Sequence, residues 1–402
     1  MQALSAAIEH ELLSNILPFW LRYGVDSEFG GFRGQITNDL RIDPYANKGL
    51  ILNARILWTF SRVYDVYRTE EFRNTAQRAY EYMLRHFHDD LYGGFYWMVD
   101  YQGTPTDTRK RIYGQAFVIY ALAEFYRATG QQHALDMALE TYRVIEKISY
   151  DRVNQGYFET YERNWRLAND QRLSEIDMDE KKSMNTHLHL LEAYATLLQQ
   201  WDDEILRAKL RELIILFRDR IINPDNRHML LFFNEKWEPR SDHISYGHDI
   251  EASWLLVEAA EALGDNLLFR EVKETSVRLA RAVFDEALDS DGGLLYEANA
   301  DGPLDTDKHW WPQAETLVGF LNAYQISGEK HFLKAAENSW GFIDKYIVDH
   351  KNGEWFWKVS RDGVASNDKY KVDPWKCPYH NSRACLEALH RLQILQQGAA
   401  PQ

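Results

Sequence analysis

Four stretches of this sequence bring histidines, carboxylates and aromatics together within a few residues. They are Asn185-Thr186-His187-Leu188-His189, Gly247-His248-Asp249-Ile250-Glu251, Trp310-Trp311-Pro312-Gln313-Ala314-Glu315 and Tyr379-His380-Asn381-Ser382-Arg383. Imidazole titrates near neutrality and suits proton transfer. His187 and His189 point about 200° apart on a helix, so they cannot serve one site and one of them must be structural. His189 stands three residues before Glu192, and His248 three before Glu251. That spacing puts each carboxylate on the same helix face as its imidazole. A carboxylate that takes the Nδ1 proton leaves Nε2 free as a base, so both pairs are expected to form. An ordinary polar pair on a helix has the same spacing. Two His/Glu pairs also resemble the ligand sets of di-metal bundles, but there Glu comes first and two further helices each add a Glu. Only Glu315 qualifies here, so no metal is expected.

Aromatic side chains stand around these bases. Trp310, Trp311, Trp375, Tyr113 and Tyr379 fall at or next to the starts of apolar stretches, where flat rings with polar neighbours suit the faces of a sugar. Most aromatics of a chain are core, but the adjacent Trp310 and Trp311 cannot both face one core, which favours a sugar platform for one of them. Arg55 and Arg383 supply fixed cations. Arg55 heads an apolar helix, so it should pair with a carboxylate or hold a substrate oxygen.

The elements that position these residues repeat. A Gly turn recurs at Gly30-Gly31, Gly93-Gly94, Gly156, Gly292-Gly293 and Gly353, with a Gly-less version from Asn226 to Phe233. The spacing of roughly 60 to 70 residues marks one supersecondary unit, repeated because none can bury its own apolar face. Each unit reads as helix, turn, helix. Phe72, Ala76, Ala79, Tyr80, Met83 and Leu84 line one side of a helix whose other side is charged, whereas Tyr113 to Tyr126 is apolar nearly all round. Outer and inner helices in alternation close as an (α/α)6 barrel, an all-α toroid. The inner helix starts Asn53-Ala54-Arg55, Tyr113-Gly114-Gln115 and the four stretches above then gather at one mouth. The unbroken repeat, without a Pro/Ser/Gly linker, predicts one domain over residues 1–402.

Composition narrows the function. A net charge of -15 argues against nucleic acid, and no apolar run approaches a membrane span. The short basic clusters Arg109-Lys110-Arg111 and Lys181-Lys182 read as solvated faces. Two cysteines and no leader-like start point to a reducing, cytoplasmic setting. A monomer or weak homodimer acting on a small molecule is expected.

Two chemistries fit such a mouth. An inverting glycosidase needs two carboxyl groups about 6.5–9.5 Å apart, which Glu251 with Glu315 or Asp249 could supply. That leaves three histidines without a role. A sugar epimerase or isomerase needs bases to move a proton alpha to a carbonyl. His248 and His380 open inner helices of repeats four and six, about 120° apart around the ring, so that a sugar between them is flanked on both faces.

Together with Trp375-Lys376-Cys377-Pro378, the four stretches closely resemble the motifs of cellobiose 2-epimerases, within the N-acylglucosamine 2-epimerase superfamily, from about Leu12 to Leu395. The resemblance implies an (α/α)6 barrel that needs no metal or nicotinamide cofactor. It would epimerise the reducing-end glucose of β-1,4-linked disaccharides, cellobiose to glucosyl-mannose and lactose to epilactose. It implies that His248 and His380 are the acid/base pair and that His189 serves ring opening. Arg55 would steady the enediolate and Glu251 would pair with the first base. Tyr113, Asn185, Trp311 and Trp375 would contact sugar; Trp310 and Glu315 are added from their place at the mouth. The alternatives are a mannose aldose-ketose isomerase or an N-acylglucosamine 2-epimerase and, from other classes, a glycosidase or a sugar-binding protein without catalysis. No phosphate-cradling Gly loop supports a nucleotide-stimulated member. The charged segment from Thr160 to Ser183, without clear periodicity, is expected as a lid or rim.

Overall fold

The computed structural model describes residues 1–397. Among the described residues, twelve helical stretches alternate between two shells. The outer shell holds α1 (residues 2–24), α3 (Glu70–His86), α5 (Gln132–Ile148), α7 (residues 204–221), α9 (Asn266–Glu286) and α11 (residues 330–347). The inner shell holds α2 (Leu50–Tyr67), α4 (Ile112–Thr129), α6 (Met184–Gln200), α8 (Tyr246–Leu263), α10 (Trp310–Ser327) and α12 (Tyr379–Gln396). Each inner helix packs on the next, and α12 returns to α2, so the inner shell is a closed ring. The fold is the (α/α)6 barrel that the alternation of two helix types predicts. The reason is burial: in α4 every residue from 112 to 125 is buried, while α3 buries one face and leaves Glu70, Glu71 and Arg73 in water. No helix among the described residues is long and apolar enough to cross a membrane.

The six turns are built alike. Each closes with a single antiparallel bridge: Val25 to Phe32, His88 to Phe95, Tyr150 to Tyr157, Ile222 to Met229, Leu288 to Leu294 and Val348 to Trp355. Two-residue strands just ahead of the inner helices staple neighbouring repeats, as where Lys48 pairs with Val99 and Lys110 with Tyr161. Glycine is required where space fails: Gly156 has φ +75°, and a Cβ there would collide with Trp237 and the His187 ring.

The two basic clusters are not solvated faces. Lys110, Arg111 and Lys182 are buried. Lys110 meets Asp89 at 3.1 Å and Lys182 meets Asp151 at 2.8 Å, as Lys48 meets Asp26 at 2.8 Å. Each of these lysines lies two residues before an inner helix and neutralises the Asp of its own turn, a tertiary partner that the local run of charge does not reveal. Repeat four has Ile244 at that place. Its Gly-less turn is held by His228, which bridges Asp249 at 2.7 Å and Glu286 at 3.0 Å. Those two carboxylates outweigh burial and raise the pKa of His228 to about 9.

Candidate active site

Register along the inner helices decides what each side chain does. Counted from the first helical residue (from the N-cap Pro378 in α12), the fourth residue bonds the turn in α4, α6, α8, α10 and α12, while Asn53 in α2 donates to Gly49 O at the start of its own helix. Gln115 holds both backbone groups of Phe95, and Gln313 holds both of Leu294. His187 takes the same place in α6: its Nε2 accepts from Tyr157 N–H at 2.9 Å while Nδ1 donates to Ser183 O at 2.7 Å. His187 is therefore the structural member of its pair, and burial lowers its pKa to about 3. Asp249 does this work in α8, accepting from Met229 N–H at 2.8 Å.

The sixth residues are Arg55, Phe117, His189, Glu251, Glu315 and Arg383, one from each inner helix. They form a layer across the barrel axis. A cavity of about 400 Å³ opens above it, the size of a small-ligand pocket. Arg55, His189, His248, Glu251 and His380 line this cavity, as do Tyr113, Asn185, Trp310, Trp311 and Trp375. Glu315 does not line it. The charged segment between Thr160 and Ser183 supplies an outer wall through Leu173, Ser174, Asp177 and Met178 and through Ile176, whose side chain is 90% exposed.

The hydrogen bonds sort the histidines. His189 Nδ1 meets Glu192 Oε2 at 2.9 Å, the pair expected from spacing. His248 and Glu251 do not form theirs: His248 Nδ1 meets Ser245 Oγ at 2.7 Å, and Glu251 is bonded to Arg383. A buried guanidinium on another helix outcompetes a neutral ring on the same one. Glu315, expected as a sugar contact, stands behind His380, with Oε1 at 2.6 Å from Nδ1. Glu315 also accepts from Arg383 and from Trp254 Nε1–H, so it is the acceptor and the Nδ1 proton belongs to His380.

Arg383 is the hub of this layer. Its guanidinium binds Glu192, Glu251 and Glu315 together with the Tyr379 hydroxyl. Burial alone would raise Glu192, but Arg383 and His189 hold it down to about 2. Burial and the neighbouring Glu315 lift Glu251 to about 7 against the pull of Arg383. Burial, with the charges of His189 and Arg55, pushes His248 down to about 3. Burial, Arg55 and Arg383 hold His380 well below its ordinary value. Both rings are neutral at neutral pH. Trp311 packs near both, its centroid 4.7 Å from His248 and 5.7 Å from His380. Gly247 permits this, since a Cβ there would stand 2.5 Å from Trp311.

Arg55 has no carboxylate within salt-bridge distance among the described residues. It donates to the Tyr113 hydroxyl at 2.9 Å and to Trp375 O at 3.3 Å and lies over the Phe117 ring at 4.4 Å, leaving Nε without a protein partner. Glu251, Glu315 and His380 present ligand atoms within 4.8 Å of one another, a set that could hold a cation. Arg383 already places its positive charge against both carboxylates. The same arrangement removes both glycosidase pairs expected for Glu251: Glu315 is sealed behind His380, and Asp249 is spent on the turn of repeat four.

The sequence pattern of the N-acylglucosamine 2-epimerase family matches residues 30–384. A cellobiose 2-epimerase of Bacteroides fragilis is 46% identical over 389 residues, covering 96% of this chain and 99% of that one. The chain belongs to the N-acylglucosamine 2-epimerase family. Its place is with the cellobiose 2-epimerases, and it is an isomerase of the carbohydrate 2-epimerase type. The cellobiose 2-epimerase of Dictyoglomus turgidum is 44% identical, with 98% of this chain and all of that one covered. The solved structure of cellobiose 2-epimerase from Bacillus thermoamylovorans superposes with a TM-score of 0.94 at 40% identity, covering 97% of this chain and 100% of that one.

Within this epimerase fold, sequence reasoning left three contributors outside the site. Ser245 lies in the strand before α8 and carried no signal beyond standing three residues ahead of His248. Arg383 was visible as a fixed cation, but its three carboxylate partners come from α6, α8 and α10. Phe117 looked like any other apolar residue of α4.

Proposed function

We propose that this epimerase interconverts glucose and mannose at the reducing end of β-1,4-linked disaccharides, with His248 and His380 as the two proton-transfer groups. The observation that carries the reading is the pair of buried, neutral imidazoles that line one cavity, each within ring-contact distance of Trp311. His189, its Nδ1 tied to Glu192, has Nε2 left for the ring-opening proton transfer between the sugar oxygens. One of His248 and His380 then takes the C2 proton on Nε2. The C2–H electrons pass into the C1–C2 bond, and the carbonyl oxygen becomes the enediolate oxygen. Arg55 is suited to hold that charge, because its donors are not committed to a carboxylate. Rotation about C2–C3 turns the other face, where the proton is returned and the ring closes. A fixed cation in a cavity shielded from water lowers the energy of the anion without reorganisation at the moment of reaction.

The test is incubation with cellobiose and with lactose, followed by sugar chromatography. Epimeric disaccharides are expected; release of monosaccharide in proportion to enzyme overturns the reading. In D2O, deuterium should appear at C2 of the product. Dialysis against EDTA should leave turnover unchanged, because the cation between Glu251 and Glu315 is covalently part of the chain; recovery of a lost activity by Mn2+ or Zn2+ would reassign Glu251, Glu315 and His380 as ligands.

A further inference from the structure

The three histidines of the cavity are backed unequally. His189 and His380 each present Nδ1 to a buried carboxylate, Glu192 at 2.9 Å and Glu315 at 2.6 Å. His248 presents Nδ1 to the Ser245 hydroxyl at 2.7 Å. Ser245 is 3% exposed and sits in the two-residue strand Ile244–Ser245, fixed by its pairing with Glu297, so the hydroxyl is held at the wall of the cavity rather than on a mobile loop.

We propose that Ser245 is a positioning residue for His248: its oxygen accepts the Nδ1 proton, fixing the tautomer that leaves Nε2 as a base.

The inference rests on the two-histidine reading above and deepens it. When His248 takes the C2 proton on Nε2, it becomes an imidazolium with Nδ1–H still donated to Ser245. The serine keeps its own hydrogen, so no proton passes through it. The same step at His380 creates an imidazolium facing Glu315, a carboxyl group that Arg383 also binds, so the two rings are backed by different partners. A hydroxyl can also donate, so the tautomer of His248 depends on this one bond.

Ser245→Ala removes the acceptor without adding bulk. Turnover should fall about tenfold, as expected for the loss of one buried hydrogen bond, with KM changed less than about twofold. Ser245→Thr, which keeps the oxygen, should restore turnover. The decisive readout is the kinetic isotope effect with disaccharides deuterated at C2, measured in both directions. In Ser245→Ala it should rise in the direction where His248 abstracts and fall where His248 returns a proton, because the slow step then carries a solvent-derived hydrogen. A general loosening of the site would change both directions alike, and that result overturns the proposal. Full turnover in Ser245→Ala overturns it as well. Nitrogen-15 NMR of the histidines supplies a test that does not depend on activity. His248 should carry its proton on Nδ1 in the native protein and on both nitrogens in exchange in Ser245→Ala; an Nε2–H tautomer in the native protein refutes the role of Ser245. A native protein that shows this tautomer but does not epimerise disaccharides would instead refute the functional reading.

Discussion

His187 and His189 occupy one helix, two residues apart, and do unrelated work. Outside α2, the fourth-position residues of the inner helices look outward and sideways to the turns, where Gln115, His187, Asp249 and Gln313 satisfy backbone groups that burial would otherwise leave unpaired. The sixth-position residues look along the axis and compose a layer beneath the cavity, which Arg55, His189 and Glu251 reach. Residue type does not separate the two sets, since each contains a histidine and a carboxylate. Direction does: about 200° of helical rotation sends one set to backbone partners and the other to one another. The turn-gripping set can exchange chemistries that make the same bond, whereas the axial set is fixed by charge.

The largest consequence falls on Arg383. Arg383→Met leaves Glu192, Glu251 and Glu315 facing one another without a counter-ion in a sealed layer. The loss should be about 3–5 kcal/mol of stability, the scale for breaking a buried ion pair, read by thermal or denaturant unfolding. A variant of near-native stability would show that the axial layer is not held by charge. Next come the bases. His248→Ala and His380→Ala should each lower turnover at least about 10²-fold with stability little changed, and near-native epimerisation by either would break the division between the two sets. Gly247→Ala should act through space alone, moving Trp311 away from the two rings; overpacking of this kind costs about 1–3 kcal/mol, so kcat/KM should drop about tenfold while both histidines remain.

The smallest effect sharpens the comparison most. Gln serves at the place of His187 in two sister repeats, so His187→Gln should keep turnover within about twofold. His189→Gln, two residues on, should not. His187→Gln should also change the response to acid. The folded-state pKa of His187 is about 3, below the unfolded value near 6.5, so the unfolded chain binds more protons between those limits. Its stabilising contribution is complete above the unfolded value and is lost as pH falls toward 3. Glutamine does not titrate, so the acid-unfolding midpoint should move to lower pH.

Much of this was legible in the chain because it is local. The Gly turns, the amphipathic outer helices and the all-round apolar inner ones specify a closed toroid from repeating short-range pattern. The pairing of His189 with Glu192 is likewise one helical turn. The same rule misplaces Glu251, because spacing allows a bond to His248 but cannot register Arg383, which lies 132 residues away and carries a full charge. Lys110 and Lys182 fail for the same reason: a short basic run reads as surface unless the turn aspartate that meets it is known.

Sequence by itself determined the shell each helix joins and the fact that only one of His187 and His189 could face the mouth. These follow from periodicity, which a linear string carries in full. Only the tertiary structure decided which acceptor each imidazole has, Ser245 for His248 and Glu315 for His380, and that one guanidinium from the last helix neutralises carboxylates from three others. Those choices are made by burial and by charges that meet only when the ring closes, so no window along the chain contains them.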